Sequence, residues 1–591
     1  MIKLTFVITT LLTFTIMNAI ELPGNEPSLS LAPSKPNIII ILADDSGYSD
    51  LGCYGGEIDT PHLDQLAKEG VRFRHFYNNA RCSPTRASLM TGKDCGLVGF
   101  GAGTLAGWNR EMKEPTYRAR LPYEIPTLPE LLKTAGYRTL MAGKWHLGGS
   151  LLKTGHDNPK TWENQHAGWN LTQEEIEADF NALPRQRGFD QFFGIFSGED
   201  HQFLVPHVAG ESNERGTTLS NHSYYLDNEP AKIETTRDYD IRCYFGEKKK
   251  GYPFHPADKT KGPAWFATDG ITDQAIQMIQ GAEKDRTPFF LYLAYQSPHA
   301  PLQAPGELIE KYKARYENNS LGEVEQARVE SLIKQSILPK DTPYRKTFSD
   351  QNSIKNIKAK EITEKIIFHS AMMENMDSNI GRMVDCLRKS GQLDNTLIIY
   401  LSDNGASAGV GELMNKPYFG AKALLWEGGQ KTAFIARWPG KIKNGTLCDT
   451  VGWVGDLLPT CLEVAHVSYP LEFRGKATSP LEGRSLLSAL QGSSISPPEY
   501  IFTNDKGQQA VIYQGHWKLL INPGWYVTTS KQSKTNYELY HLENDPAEVK
   551  NVYLDNPELV EKLAAKCLSW QKKNGILDYG ELLKQRKDFS E

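Results

Sequence analysis

Asn37-Ile38-Ile39-Ile40-Ile41-Leu42-Ala43-Asp44-Asp45 decides the architecture. A strand with one wet face alternates apolar and polar residues. This run is apolar without a break, as expected of a strand buried on both faces of a parallel sheet. Similar runs occur at 139–142, 289–294, 396–401 and 432–436. Helical patterns separate them at 62–69, 127–135, 271–279 and 362–388, the last with Ile366, Met373, Met376, Ile380, Met383 and Leu387 on one side. The alternation predicts an α/β fold over residues 35–490, a large doubly wound, mixed or parallel sheet flanked by helices. A Gly-, Ser- and Pro-rich stretch at 491–498 then reads as a linker. Beyond it, short strands at 500–503, 509–513, 517–521 and 537–541 and a helix at 557–572 make 491–591 a smaller C-terminal α+β domain, an antiparallel sheet plus helix.

At 591 residues the chain has length for two or three domains. Its 66 basic and 71 acidic residues give a net charge of -5, so no global basic field points to nucleic acid. Any recognition of an anion is therefore local. Residues 1–19 carry one lysine, an apolar run from 4 to 17 and a small residue at Ala19, which describes a cleaved export signal and a periplasmic or secreted protein. The run is rather short to span a bilayer, so no stable membrane anchor is expected. Residues 20–34, rich in Pro and Ser, read as a flexible leader. The eight cysteines lack the dense spacing of a disulfide scaffold, and Cys448 with Cys461 is a candidate bridge. The stretches 108–123 and 200–262 read as long surface excursions, where binding specificity usually sits.

Asp44 and Asp45 follow the first strand, and Asp403 and Asn404 follow the run that ends at Leu401. In open α/β sheets, ligands bind at the carboxyl edge of the strands, so the two pairs could meet in one crevice. Neighbours within a strand face opposite ways, which puts each pair in the turn beyond its strand. Carboxylate and amide oxygens suit calcium or magnesium. Either pair by itself would read as a solvated turn.

Cys82-Ser83-Pro84-Thr85-Arg86, followed by Thr91-Gly92, read alone is a tight turn carrying an ordinary thiol. It closely resembles the maturation signature of the formylglycine-dependent sulfatase family, arylsulfatase-like members of the alkaline-phosphatase superfamily. Further matches follow in order: Gly143-Lys144-Trp145-His146-Leu147-Gly148, Ser297-Pro298-His299-Ala300-Pro301 and Gly420-Ala421-Lys422. The resemblance implies hydrolysis of sulfate esters, with Cys82 converted by a transiently bound maturase to formylglycine (3-oxoalanine). It implies one divalent cation, calcium preferred and magnesium possible, on Asp44, Asp45, position 82, Asp403 and Asn404. Arg86 would hold the nucleophilic oxygen, Lys144 the sulfate, His146 the formylglycine hydroxyl, and His299 with Lys422 the leaving group. The substrate would be a sulfated small molecule or saccharide. His201, in Gly198-Glu199-Asp200-His201, matches no shared motif and is a candidate reader of the leaving group. Two readings compete: a phosphatase or phosphonate monoester hydrolase of the same superfamily, and an inactive secreted carbohydrate-binding protein. Retention of both histidines argues against the latter.

Overall fold

In the computed structural model, strand β1 (Asn37–Asp44) is buried along its whole length. Ile38, Ile40 and Leu42 enter one apolar core, while Ile39, Ile41 and Ala43 enter another on the opposite face. This two-sided burial accounts for the unbroken apolar run. Each buried isoleucine contributes roughly 1.5–3 kcal/mol relative to exposure. The structure describes residues 35–101, 115–149, 172–196, 198, 202–204, 224–234, 236–244, 260–348, 357–524, 535–577 and 581. The expected signal and leader and His201 lie outside them.

The main sheet has ten strands. With β2 (Val71–Phe73), β3 (Arg138–Lys144), β4 (Gln191–Ile195), β5 (Tyr225–Leu226), β6 (Glu229–Pro230), β7 (Phe289–Pro298), β8 (Thr396–Ser402), β9 (Phe434–Arg437) and β10 (Thr446–Cys448), its order is β10-β2-β9-β8-β1-β7-β3-β4-β5-β6. Strands β8, β1, β7, β3 and β4 are mutually parallel, with Ile40 opposite both Tyr292 and Ile399. Strand β9 runs antiparallel to β8 and to β2. Helices α1 (Pro61–Lys68), α2 (Cys82–Thr91), α3 (Leu128–Thr134), α4 (Ala267–Lys284) and α5 (Ile357–Lys389) are among those flanking it. The apolar side of α5 lies in the second core, as its periodicity predicts.

Four expectations need correction. The run at 432–436 becomes β9, which begins at Phe434, and the helix expected at 271–279 extends over all of α4. The excursion 200–262 contains sheet: Arg237–Cys243 and Thr260–Phe266 join Phe203–Leu204 and Gln303–Pro305 in a separate four-stranded antiparallel sheet. Its core contains Ile241 and Phe266, too few apolar residues to mark strands in the sequence. Cys448 and Cys461 are free thiols. Cys448 ends the edge strand β10, whereas Cys461 sits in helix Leu457–Ala465 as a buried core residue whose thiol burial pushes up to about 12.

The C-terminal sheet runs β11 (Tyr500–Asp505), β12 (Gln508–Tyr513), β13 (Trp517–Ile521) and β14 (Tyr537–His541), all antiparallel. Val511, Leu519, Ile521 and Leu539 face Val560, Leu563 and Cys567 of α6 (Pro557–Asn574). The alternate residues Ala510, Ile512, Leu520 and Tyr540 join the first core of the main sheet. Between the two sheets Lys518 is buried against Glu427 (2.9 Å) and Glu548 (3.0 Å), and Tyr77 donates to Glu427 (3.0 Å).

Past α2 the chain buries Asp94, whose amide donates to Glu482 (2.5 Å) and whose carboxylate accepts from Gly96 N (2.8 Å). Burial, and then the nearby Glu482, push the Asp94 carboxyl up to about 8. An acid whose folded pKa is raised contributes stability below its unfolded pKa and loses it as pH rises through the folded value. Wild type should therefore lose stability relative to Asp94→Asn between about pH 5 and pH 8, read as diverging urea midpoints. Parallel midpoints across that range would refute the assignment.

Candidate active site

The carboxyl ends of β8, β1, β7 and β3 open on one edge of the sheet, and each delivers a polar group there. Asp44 ends β1, and Asp45 follows with φ 70°, a left-handed turn that aims its carboxylate back into the crevice. Asp403 and Asn404 follow β8; Asp403 N donates to Ala43 O (3.1 Å), and Asp45 N donates to Asp403 Oδ1 (3.3 Å). Thus the two acidic pairs converge. Lys144 ends β3 directly after Gly143, where a β-carbon would lie 1.8 Å from the carbonyl oxygen of Ala294, so only glycine fits. His146 follows at φ 59°, and His299 sits just past β7.

Helix α2 brings the remaining groups. Cys82 is its first residue, and Pro84 sits in the first turn, where a missing N–H costs no helical bond. Arg86, one turn on and fully buried, donates to Asp403 Oδ2 from Nη2 (2.7 Å) and Nε (3.1 Å) and to Lys144 O from Nη1 (2.9 Å). It also lies 3.4 Å from Asp44 and donates to Tyr292 Oη (3.4 Å). Lys144 pairs with Asp44, and Lys422 with Asp45 (2.8 Å). His299 Nε2 lies 3.8 Å from Asp45 Oδ2. Asn404 donates to Asp45 Oδ1 (2.7 Å).

The electrostatics follow from burial and pairing. Burial raises the Asp44 carboxyl, yet Lys144, His299, Arg86 and Lys422 together hold it far below the usual range; Asp45 is lowered likewise, chiefly by Lys422 against its own burial. Asp403 goes the other way, pushed up to about 7 by burial and then by Asp44. Burial, with Lys144 and Arg86, holds His146 well below the normal histidine value, leaving a neutral imidazole. Lys422 is raised by Asp45 against its burial.

A cation fits here. Asp44 Oδ1 and Asn404 Oδ1 are buried oxygens with no hydrogen-bond partner among the described residues. Buried acceptors without donors are costly and call for an ion or water. Ligand atoms of Asp44, Cys82 and Asp403 lie within 4.8 Å of one another, as do those of Asp44, Asp45 and His299. The oxygen-rich set is suited to a hard divalent ion.

Sequence reasoning missed several groups that touch this pocket. Gly198 packs on the His146 ring, where a β-carbon would come within 2.6 Å of Nε2. Gln202 donates to the carbonyl of His299 (3.3 Å), and Tyr292 braces Arg86. In the sequence Tyr292 is one residue of an apolar strand, and its register opposite Ile40, which sets it beside Arg86, leaves no local signal.

This fold and this edge define an α/β protein in which buried carboxylates and cationic side chains converge at the carboxyl ends of parallel strands. The Sulfatase family profile matches residues 36–467, and a profile described as "N-sulphoglucosamine sulphohydrolase, C-terminal" matches 416–573. The chain belongs to the sulfatase family and is a sulfuric ester hydrolase. It is 28% identical over 589 residues to an uncharacterized sulfatase of Schizosaccharomyces pombe, covering 92% of this chain and 94% of that one. It is 29% identical over 503 residues to the arylsulfatase of Klebsiella aerogenes, covering 79% and 93%. Among solved structures, Ps i-CgsB in complex with k-i-k-neocarrahexaose aligns with a TM-score of 0.61 at 23% identity over 92% of this chain and 94% of that one. A protein solved with its substrate D-glucosamine-2-N,6-O-disulfate aligns with a TM-score of 0.55 at 21% identity over 92% and 98%.

If the pocket takes a divalent ion, calcium added to chelator-treated protein should raise the melting temperature. At a hundredfold excess over Kd the gain should be about 2.7 kcal/mol. Asp45→Ala should lose this response; an equal response in that variant would move the ion elsewhere.

Proposed function

We propose that the protein hydrolyses sulfate esters through formylglycine at position 82 and one divalent cation, calcium preferred, releasing inorganic sulfate and an alcohol. The observation that carries the reading is the joining of Cys82, Asp44 and Asp403 within 4.8 Å, with Arg86 bonded to Asp403 and Lys144 to Asp44. The Cys82 thiol stands where the hydrated aldehyde oxygens of formylglycine would be. Asp44, Asp45, Asp403 and Asn404 would hold the cation, whose chemistry is to lower the pKa of an oxygen nucleophile and to offset negative charge. Arg86, Lys144 and Lys422 supply fixed positive charge toward the sulfonate oxygens, stabilising charge that builds as sulfur is attacked. His299, beside Asp45, is placed to protonate the leaving alcohol with Lys422. His146, kept neutral, is able to accept the proton whose removal frees sulfate and restores the aldehyde.

The substrate is proposed to be a sulfated carbohydrate. Two structural neighbours carry saccharides, one of them the glucosamine disulfate above. His201 belongs to this proposal as a reader of the leaving group: residues 198 and 202, on either side of it, lie against His146 and His299. His201→Ala should change the preference among defined sulfated saccharides more than it slows a small aryl sulfate; equal loss on all would refute that role. Among the described residues no helix is long and apolar enough to cross a membrane, and export is part of the same proposal.

A phosphonate monoester hydrolase shares the fold, with a TM-score of 0.53 at 18% identity. Kinetics on matched sulfate and phosphate monoesters separate the two activities. Active protein should carry formylglycine at position 82 by peptide mass spectrometry. Cys82→Ser should accumulate at most one covalent sulfate per chain without sustained turnover, because a sulfated serine has no second hydroxyl from which release by elimination could start. Steady turnover by that variant would overturn the mechanism.

A further inference from the structure

The two loops that carry position 82 and Lys422 are tied to each other and to one hairpin turn of the C-terminal sheet. Ala423 N donates to Ala80 O (2.7 Å), and these residues hold φ of 69° and 56°. A residue with a β-carbon stays in that region only where its surroundings dictate it. The turn at 505–508 joins β11 to β12 with Lys506 and Gly507 both left-handed, a tight two-residue hairpin. Asp505 receives Nε and Nη2 of Arg81 at 2.7 and 2.9 Å, a two-point fork. Gln508 donates to Ala423 O (3.1 Å) while its own oxygen accepts from Gly524 N (2.9 Å).

Arg81 directly precedes Cys82, and its carbonyl accepts the first helical bond of α2 from Thr85 N (3.1 Å). Ala423 directly follows Lys422. Both Asp505 and Gln508 are buried, so solvent competes little with either bond. The sheet that carries them is backed by α6 and pinned through Lys518 to Glu427, only five residues beyond Lys422.

We propose that the turn at 505–508 is a positioning clamp for the catalytic centre, Asp505 setting residue 82 through Arg81 and Gln508 setting Lys422 through Ala423. The inference rests on the roles assigned above to residue 82 and Lys422. Neither Asp505 nor Gln508 touches the reacting atoms. Their effect is on distance, and a misplacement of about 1 Å can cost on the order of a hundredfold in rate.

The test uses the full chain with Asp505→Asn or Gln508→Met. Both are distant in sequence from the signature around Cys82, so formylglycine content by mass spectrometry should equal that of wild type. With rates measured well below each variant's melting midpoint, kcat on an aryl sulfate should fall roughly 10- to 100-fold with KM nearly unchanged. Across phenols of rising pKa, the loss in Gln508→Met should grow, because Lys422 serves the leaving oxygen, whereas that in Asp505→Asn should stay level. If Asp505→Asn fails to fold, Arg81→Lys, which keeps the charge but loses the fork, supplies the same readout once mass spectrometry shows its formylglycine content equal to that of wild type. A kcat within about threefold of wild type, with only the melting temperature lowered, would reduce the turn to a structural brace. Identical trends for the two variants across the phenol series would also overturn the clamp. Wild type that turns over phosphate but not sulfate esters would instead overturn the functional reading, and the clamp would then be measured on the phosphate ester.

Discussion

Three carboxylates, those of Asp44, Asp45 and Asp403, share one pocket from which water is nearly excluded, and their mutual repulsion is the constraint that the surrounding structure answers. Two unit charges about 4 Å apart repel by about 4 kcal/mol even at an effective dielectric of 20. Each carboxylate therefore has its own cation, and each cation comes from a different element: Lys144 from the end of β3, Arg86 from α2, Lys422 from the loop before Glu427. Removing one partner would leave a buried charge bare, which costs roughly 3–5 kcal/mol. The helix, the strand ends and the loop are thus not independently adjustable.

The sheet makes this arrangement possible through adjacency rather than sequence proximity. Strands β8, β1, β7 and β3 lie side by side and parallel, so Asp403, Asp44, His299 and Lys144 emerge along one edge although the chain separates their strands by as many as 359 positions in direct contacts such as that of Asn404 with Asp45. Arg86 closes the arrangement by bonding the backbone of Lys144 as well as the carboxylate of Asp403.

What was legible in the sequence follows from these same facts. A central strand buried on both faces must be apolar throughout, so β1, β7 and β8 could be read directly, and the groups just past them follow from the carboxyl-edge rule. Strand direction leaves no compositional trace, so the antiparallel course of β9 was hidden. Arg237-Asp238-Tyr239-Asp240-Ile241-Arg242 contributes one residue to a small core and reads as loop. Arg81, Asp505 and Gln508 act through side-chain bonds between distant segments, which no local spacing encodes. The hairpin itself was legible from the short strands read at 500–503 and 509–513.

The balance of charge also explains how a chain of net charge -5 can receive an anion. Once Asp403 is ionised, three carboxylates against three cationic side chains leave the pocket close to neutral by itself. A divalent cation added to that set turns it positive, and a concave low-dielectric site concentrates such a field toward an approaching anion. Affinity for the ester would then be conditional on the ion, while the acidic exterior, screened beyond about 8 Å at physiological salt, has little say at the site. The carboxylates, ill-suited by themselves to an anion pocket, would hold such an ion there, and the three cations are what allow the carboxylates to be buried.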